Sequence, residues 1–210
     1  MKLIFIVGAM VFACASVIAH AQGNRFKPLA ENEMTEVQKQ AVKDMIGGLR
    51  GSFNWDGPNA LLLRSPELQS RTQKVGEYLR YKSSIPLRLN EFAILITARQ
   101  WDAQGEWIQH QVLAEKAGIA RATIADLAQG KRPGGMKDDE ALVYQFLREL
   151  HTTKTVSDAT FKAAKDKFGE QGVIDLLGVV GYYNFPAIVL NATRTPLPDG
   201  VAEPLKRYPN

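Results

Sequence analysis

The sequence predicts an all-α, single-domain helical bundle, and three observations carry that prediction. Thr35-Glu36-Val37-Gln38 is a capping box followed by Val37, Ala41, Met45 and Ile46 at helical spacing. Ser65-Pro66-Glu67 places a cap, a first-turn proline and an acid at the positive end of a second helix. No stretch alternates apolar and polar residues as a half-buried strand does, and no Asn-Gly hairpin turn occurs. The pattern as a whole supports about seven to nine helices.

In chain order, Gly47-Gly48 ends the first helix. Gly51 to Pro58 (GSFNWDGP) is a turn-rich loop, and Ala60 to Leu63 is a short apolar turn. The Ser65 helix runs to about Tyr81, and Ser84-Ile85-Pro86 breaks the chain. Leu89 to about Trp101 is a strongly apolar helix. Asp102 is placed to cap the next one, which closes at Lys116-Ala117-Gly118. Ala120 to Leu127 is a short helix closed near Gly130, and Lys131 to Met136 is a loop. Asp138-Asp139-Glu140 opens a helix carrying Leu142, Val143, Phe146, Leu147 and Leu150 at core spacing. Ser157 caps another helix to about Phe168. Gly172 to Asn191 is apolar throughout and reads as a buried terminal helix. Thr195 to Asn210, with Pro196, Pro198, Pro204 and Pro209, reads as an extended tail.

The chain divides accordingly into residues 1–21 as a signal peptide, 22–50 as an N-terminal arm with its helix, 51–194 as the helical domain, and 195–210 as the tail. Lys2 precedes an apolar run, Leu3 to Ile18, and Ala19-His20-Ala21 is a small-x-small cleavage site. That run is shorter than the ~20 residues a spanning helix needs. The expected location is periplasmic or secreted. Cleavage removes Cys14, the single cysteine, which excludes thiol nucleophiles, redox pairs and iron–sulfur clusters from the mature protein. The remaining chain is long enough to bury a sizeable core without disulfides. The arms are expected to pack on a neighbouring subunit.

Twenty-six Lys and Arg face 22 Asp and Glu, a net charge of +4, with both signs interspersed. The absence of a basic block beyond short groups such as Lys131-Arg132 gives no support for nucleic acid as a partner. After the leader no apolar run is expected to be long enough to span a membrane.

The chemistry concentrates in Leu89–Gly118. Glu106 and His110 are four residues apart and share a helix face. A carboxylate and an imidazole held together move protons near neutral pH. Glu91 lies within an apolar helix, where a carboxylate is costly unless paired; its partner is either His110 or Arg99. His110, Glu106 and Glu91 are therefore the catalytic candidates. A histidine bonded within the core, a first-turn acid and a structural ion pair are their simpler alternatives.

Arg99 and Arg80 are candidates to hold a substrate carboxylate in fork geometry. Trp107, Trp55, Tyr182 and Tyr183 are candidates to wall a pocket for a flat ligand. Asn184-Phe185-Pro186 marks a kink of the kind that lines pockets. Core packing is the alternative for the aromatics and solvation for the arginines. A metal site has little behind it: Glu106 and His110 supply two ligands, whereas zinc takes three or four, and His151 stands apart at a helix end. No nucleophile elbow and no glycine-rich phosphate loop is present.

Over Leu89–Gly118 the chain resembles the carboxymuconolactone decarboxylase family, which includes the alkyl hydroperoxide reductase D-type proteins. The redox branch of that family carries Glu, eleven residues, Cys-x-x-Cys, three residues, His. Glu91 and His110 stand at that spacing, and Ala103 and Glu106 occupy the two cysteine positions. The segment Glu106-Trp107-Ile108-Gln109-His110 looks like the decarboxylase-type branch, and Ala114 to Ile119 continues the likeness. It extends more loosely from Asn54 to Asn191 through Pro58-Asn59-Ala60, Ser65-Pro66-Glu67 and Leu87 to Glu91.

The resemblance implies an alkyl hydroperoxide reductase D-like helical fold and a homo-oligomer, trimer or hexamer, with sites near subunit contacts. It implies a decarboxylase that needs no metal or organic cofactor. The expected function is proton transfer through the Glu/His pair on a small carboxylated lactone or related acid. Two alternatives stand beside it: a non-catalytic ligand-binding or assembly module on the same scaffold, and an isomerase, dehydratase or hydrolase using the same pair.

Overall fold

The computed structural model describes residues 24–206, and the leader assigned to residues 1–21 lies outside them. The described residues form an all-α structure without strands. A one-turn 3₁₀ helix, Glu31–Glu33, precedes α1 (Glu36–Gly47), α2 (Pro58–Leu62), α3 (Pro66–Tyr81) and α4 (Leu87–Gln100). Then come α5 (Gln104–Lys116), α6 (Arg121–Ala128), α7 (Asp138–Thr153) and α8 (Asp158–Thr193).

Helix α4 is the hub, because it is buried on all sides from Leu89 to Arg99 and packs against α3, α5, α6, α7 and α8. Leu89, Phe92, Ala93, Ile94 and Leu95 are fully buried there, together with Trp107 of α5, Phe146 and Leu147 of α7, and Leu176 and Val179 of α8. Removing this contiguous apolar area from water drives the folding of the bundle. A smaller cluster, Met34, Ala41, Val42 and Leu63, fastens α1 and the segment before it.

Start signals behave as their chemistry demands at two helices. The Thr35 hydroxyl accepts from the Gln38 amide at 3.3 Å, and the Gln38 side chain accepts from the Thr35 amide at 2.9 Å. The Ser157 hydroxyl accepts from the Thr160 amide at 3.4 Å. Two expected caps are corrected. Ser65 occupies the cap position of α3 without a side-chain bond to the helix. Asp102 does not cap α5; its carboxylate is paired with Arg99, its backbone is left-handed (φ 48°), and Ala103 stands at the cap position. A local ion pair has captured the side chain that the helix end would otherwise use.

The two helices expected at the C-terminal side run on as α8, broken at Gly169, whose φ of 69° no helix accommodates. The apolar segment 172–191 is not buried all round. One face packs on the bundle, while Ile174 and Ile188 on the other are 66% and 41% exposed. Helix α8 is also long and apolar enough, by length and composition, to cross a membrane, which corrects the reading that no such run follows the leader.

Where they are described, both arms make contacts within their own chain. The Arg25 amide donates to the Thr193 carbonyl at 2.9 Å, tying the N-terminal arm to the end of α8. The tail returns to the bundle through Leu205, which is buried. The Gln104 side chain donates to the Leu205 carbonyl at 2.8 Å and accepts from its amide at 2.9 Å.

Candidate functional site

Glu91 sits one turn into α4, and Glu106 and His110 lie on successive turns of α5. The three-residue link 101–103 folds α4 and α5 into a hairpin, and its left-handed Asp102 is held by Arg99. The hairpin brings Glu91 against the imidazole: His110 Nδ1 lies 2.6 Å from Glu91 Oε2. Glu106 Oε2 lies 3.6 Å from Nε2, within ion-pair reach and beyond a hydrogen bond. Glu91, Glu106 and His110 are only 2%, 3% and 4% exposed, so water screens little of their interaction.

This geometry assigns the tautomer. An ionised Glu91 at 2.6 Å accepts from Nδ1–H, the tautomer that leaves Nε2 on the Glu106 side of the ring. Of the two pairings open to Glu91, the one with His110 is made. Glu91, not Glu106, orients the ring. It stands behind the ring, whereas Glu106 and His110 both line a cavity of about 200 Å³.

Burial pushes the Glu106 carboxyl above the usual range; His110, Arg80 and Arg50 draw it back, and Glu91 adds to the push. Tyr183, also in the cavity wall, meets the His110 ring edge-on at 5.0 Å. Burial raises its hydroxyl well above the ordinary value, against the pull of Arg80, so it stays a neutral donor. Tyr182 crosses Tyr183 at 5.1 Å and is likewise raised by burial.

Two guanidinium groups border the same space. Arg50 donates to the Tyr182 hydroxyl at 3.3 Å, and its buried Nε has no hydrogen-bond partner. Arg80 lies over the Tyr81 ring at 5.5 Å. Burial works against its charge, but Tyr183, Tyr81, Glu91 and Glu106 more than offset this, and its pKa is raised. Among the described residues, neither arginine has a carboxylate within ion-pair distance. Two half-buried cations with no carboxylate at ion-pair distance, beside a carboxyl and an imidazole, are suited to hold an anion.

No family model, curated protein or solved structure matches the chain.

Of the residues singled out from sequence, His110, Glu106, Glu91, Arg80, Tyr182 and Tyr183 come together. Four others do not line the cavity. Arg99 is spent on Asp102 and on the Lys206 carbonyl at 2.9 Å. Trp107 is fully buried in the core, its indole donating to Gln111 at 3.0 Å. Trp55 leans on Phe53 and is 48% exposed beside the N-terminal arm. Asn184 accepts from the Trp101 indole at 2.5 Å and faces a separate groove. Arg50, Asn54, Asn59 and Gln109 also line the cavity, and no sequence pattern marks them. An arginine just past a Gly-Gly helix stop looks like any solvated loop residue. Among the described residues no cluster of three or more His, Cys, Asp or Glu is arranged to hold a metal.

The raised Glu106 acid has a stability signature. The folded chain keeps this proton at pH values where the unfolded chain, with an ordinary carboxyl near 4.5, has lost it. Stability from this group is complete below that value and is lost as the pH rises through the raised folded value. Thermal midpoints measured against pH are expected to fall over that window in the wild type. The fall should be shallower in Glu106→Gln, and superimposable curves would contradict a raised Glu106.

Proposed function

We propose that the protein is a cofactor-independent acid–base enzyme of the decarboxylase type, acting on a small carboxylated lactone or related acid. The observation that carries this reading is the joint lining of one cavity by the Nε2 side of His110, by Glu106, and by two arginines that lack carboxylate partners. The arginines bind the substrate anion. Cleavage of the bond to the departing carboxylate releases carbon dioxide and leaves the electron pair as a dienolate. His110 Nε2–H or the Glu106 carboxyl supplies the proton that quenches it, and solvent restores that proton. Tyr183 is placed to donate to the developing oxyanion.

The same reading includes membership of the carboxymuconolactone decarboxylase family, an alkyl hydroperoxide reductase D-like bundle, trimeric or hexameric assembly, and export from the cytoplasm. The likeness at Glu91, Glu106 and His110 supports it. Thiol-dependent peroxidase chemistry is not part of it, because Ala103 and Glu106 stand where that branch has cysteines. A second reading, isomerisation, is favoured by one feature: two proton-carrying groups face one cavity, so one can remove a proton and the other return it.

Carbon dioxide release from a panel of carboxylated lactones and keto acids tests the proposal. The wild-type protein is expected to release it. Arg80→Gln should raise KM by about 10–150-fold, equivalent to one charge-assisted hydrogen bond of ~1.5–3 kcal/mol, with kcat changed less. Product formation without carbon dioxide would move the assignment to isomerisation. Binding without turnover would move it to a ligand-binding module.

A further inference from the structure

Arg50 packs beside a residue outside the cavity lining, Gly76 on α3. Arg50 belongs to the loop after α1, and two contacts seat that loop on α3. The Leu49 amide donates to Glu77 Oε2 at 3.2 Å, and Gly48 lies so close that a methyl group there would stand 2.5 Å from the same oxygen. One residue earlier on α3, a methyl group at Gly76 would overlap Cζ and Oη of Tyr182 and come within 2.6 Å of Nη2 of Arg50. Gly76 is helical, so no backbone requirement explains a glycine there. In mid-helix it costs stability relative to alanine. Its bare surface is where the Arg50–Tyr182 pair rests.

We infer that Gly76 is a positioning residue for anion binding: the gap it leaves on α3 lets the Arg50 guanidinium and the Tyr182 hydroxyl reach the cavity together. Filling that gap displaces both groups from the substrate side without touching His110 or Glu106. Small misplacements of a gripping residue weaken what it holds. The inference rests on the reading of Arg50 as a grip for a carboxylate.

Calorimetric titration of the full chain with γ-carboxy-γ-butyrolactone tests it, using wild type, Gly76→Ala, Arg50→Ala and the double variant. Gly76→Ala and Arg50→Ala should each weaken binding at least about tenfold, and the double variant should bind no more weakly than Arg50→Ala. Should Gly76→Ala fail to fold, Glu77→Ala, which removes the acceptor, takes its place. That change loosens the Leu49 anchor, and its weakening of binding should likewise vanish in the Arg50→Ala background. Additive losses, or unchanged binding in Gly76→Ala, would overturn the role of Gly76. A wild-type chain that ignores the probe, or an Arg50→Ala variant that binds it normally, would instead overturn the reading of the cavity, and this inference with it.

Discussion

Replacing His110 with alanine is expected to lower turnover of a carboxylated substrate by about 10²–10⁴-fold, the usual contribution of a positioned general acid. Binding should survive largely intact, because Arg50 and Arg80 remain in the wall. Helical content by circular dichroism should also be retained, since the ring occupies the cavity side of α5 rather than the centre of the core. Glu91→Gln should fall between the variant and the wild type. The amide oxygen still accepts from Nδ1–H and keeps the tautomer, but a neutral acceptor holds the ring less firmly than a carboxylate. Steady-state rates for the three proteins, measured beside a binding isotherm, decide the matter. Full activity in His110→Ala would remove the imidazole from the mechanism.

The largest stability loss is expected at Trp107→Ala. The indole is fully buried at the centre of the bundle, beside the α4 residues on which the helices converge. Truncating a buried tryptophan costs about 3–5 kcal/mol through lost transfer energy and the cavity left behind. For a chain of this size that lowers the thermal midpoint by about 6–20 °C. Trp107 also follows Glu106 directly, so the variant should lose activity in proportion to the displacement of α5. A midpoint within a degree or two of wild type would show that the core closes over the gap at little cost.

These two variants mark what was legible in the sequence. The α5 face carrying Glu106 and His110 follows from spacing alone, because four residues make one helical turn. The α1 capping box was equally local, and its reciprocal bonds are made. The orienting partner of His110 was not local. Glu91 reaches the ring across the α4–α5 hairpin, whose turn passes through a left-handed Asp102 paired with Arg99. The same pairing cancelled the expected cap and removed Arg99 from the list of anion-binding groups. Arg50 was hidden for a stronger reason: it meets Tyr182 across 132 positions of chain, and no periodicity spans that distance. The aromatics divided by depth, with Tyr182 and Tyr183 in the cavity wall, Trp107 in the core and Trp55 in solvent.

The return of the tail to the α4–α5 hairpin bears on the order in which the molecule can be made. The Gln104–Leu205 bonds join residues 101 positions apart, and the Arg99–Lys206 bond spans 107. On a ribosome adding about 5–20 residues per second, the hairpin emerges some 5–20 s before the segment that seals its base. During that interval the Gln104 amide, buried in the finished fold, has only water as a partner. The Glu106–His110 pair is translated early, but the segment that seals its base follows about a hundred residues later.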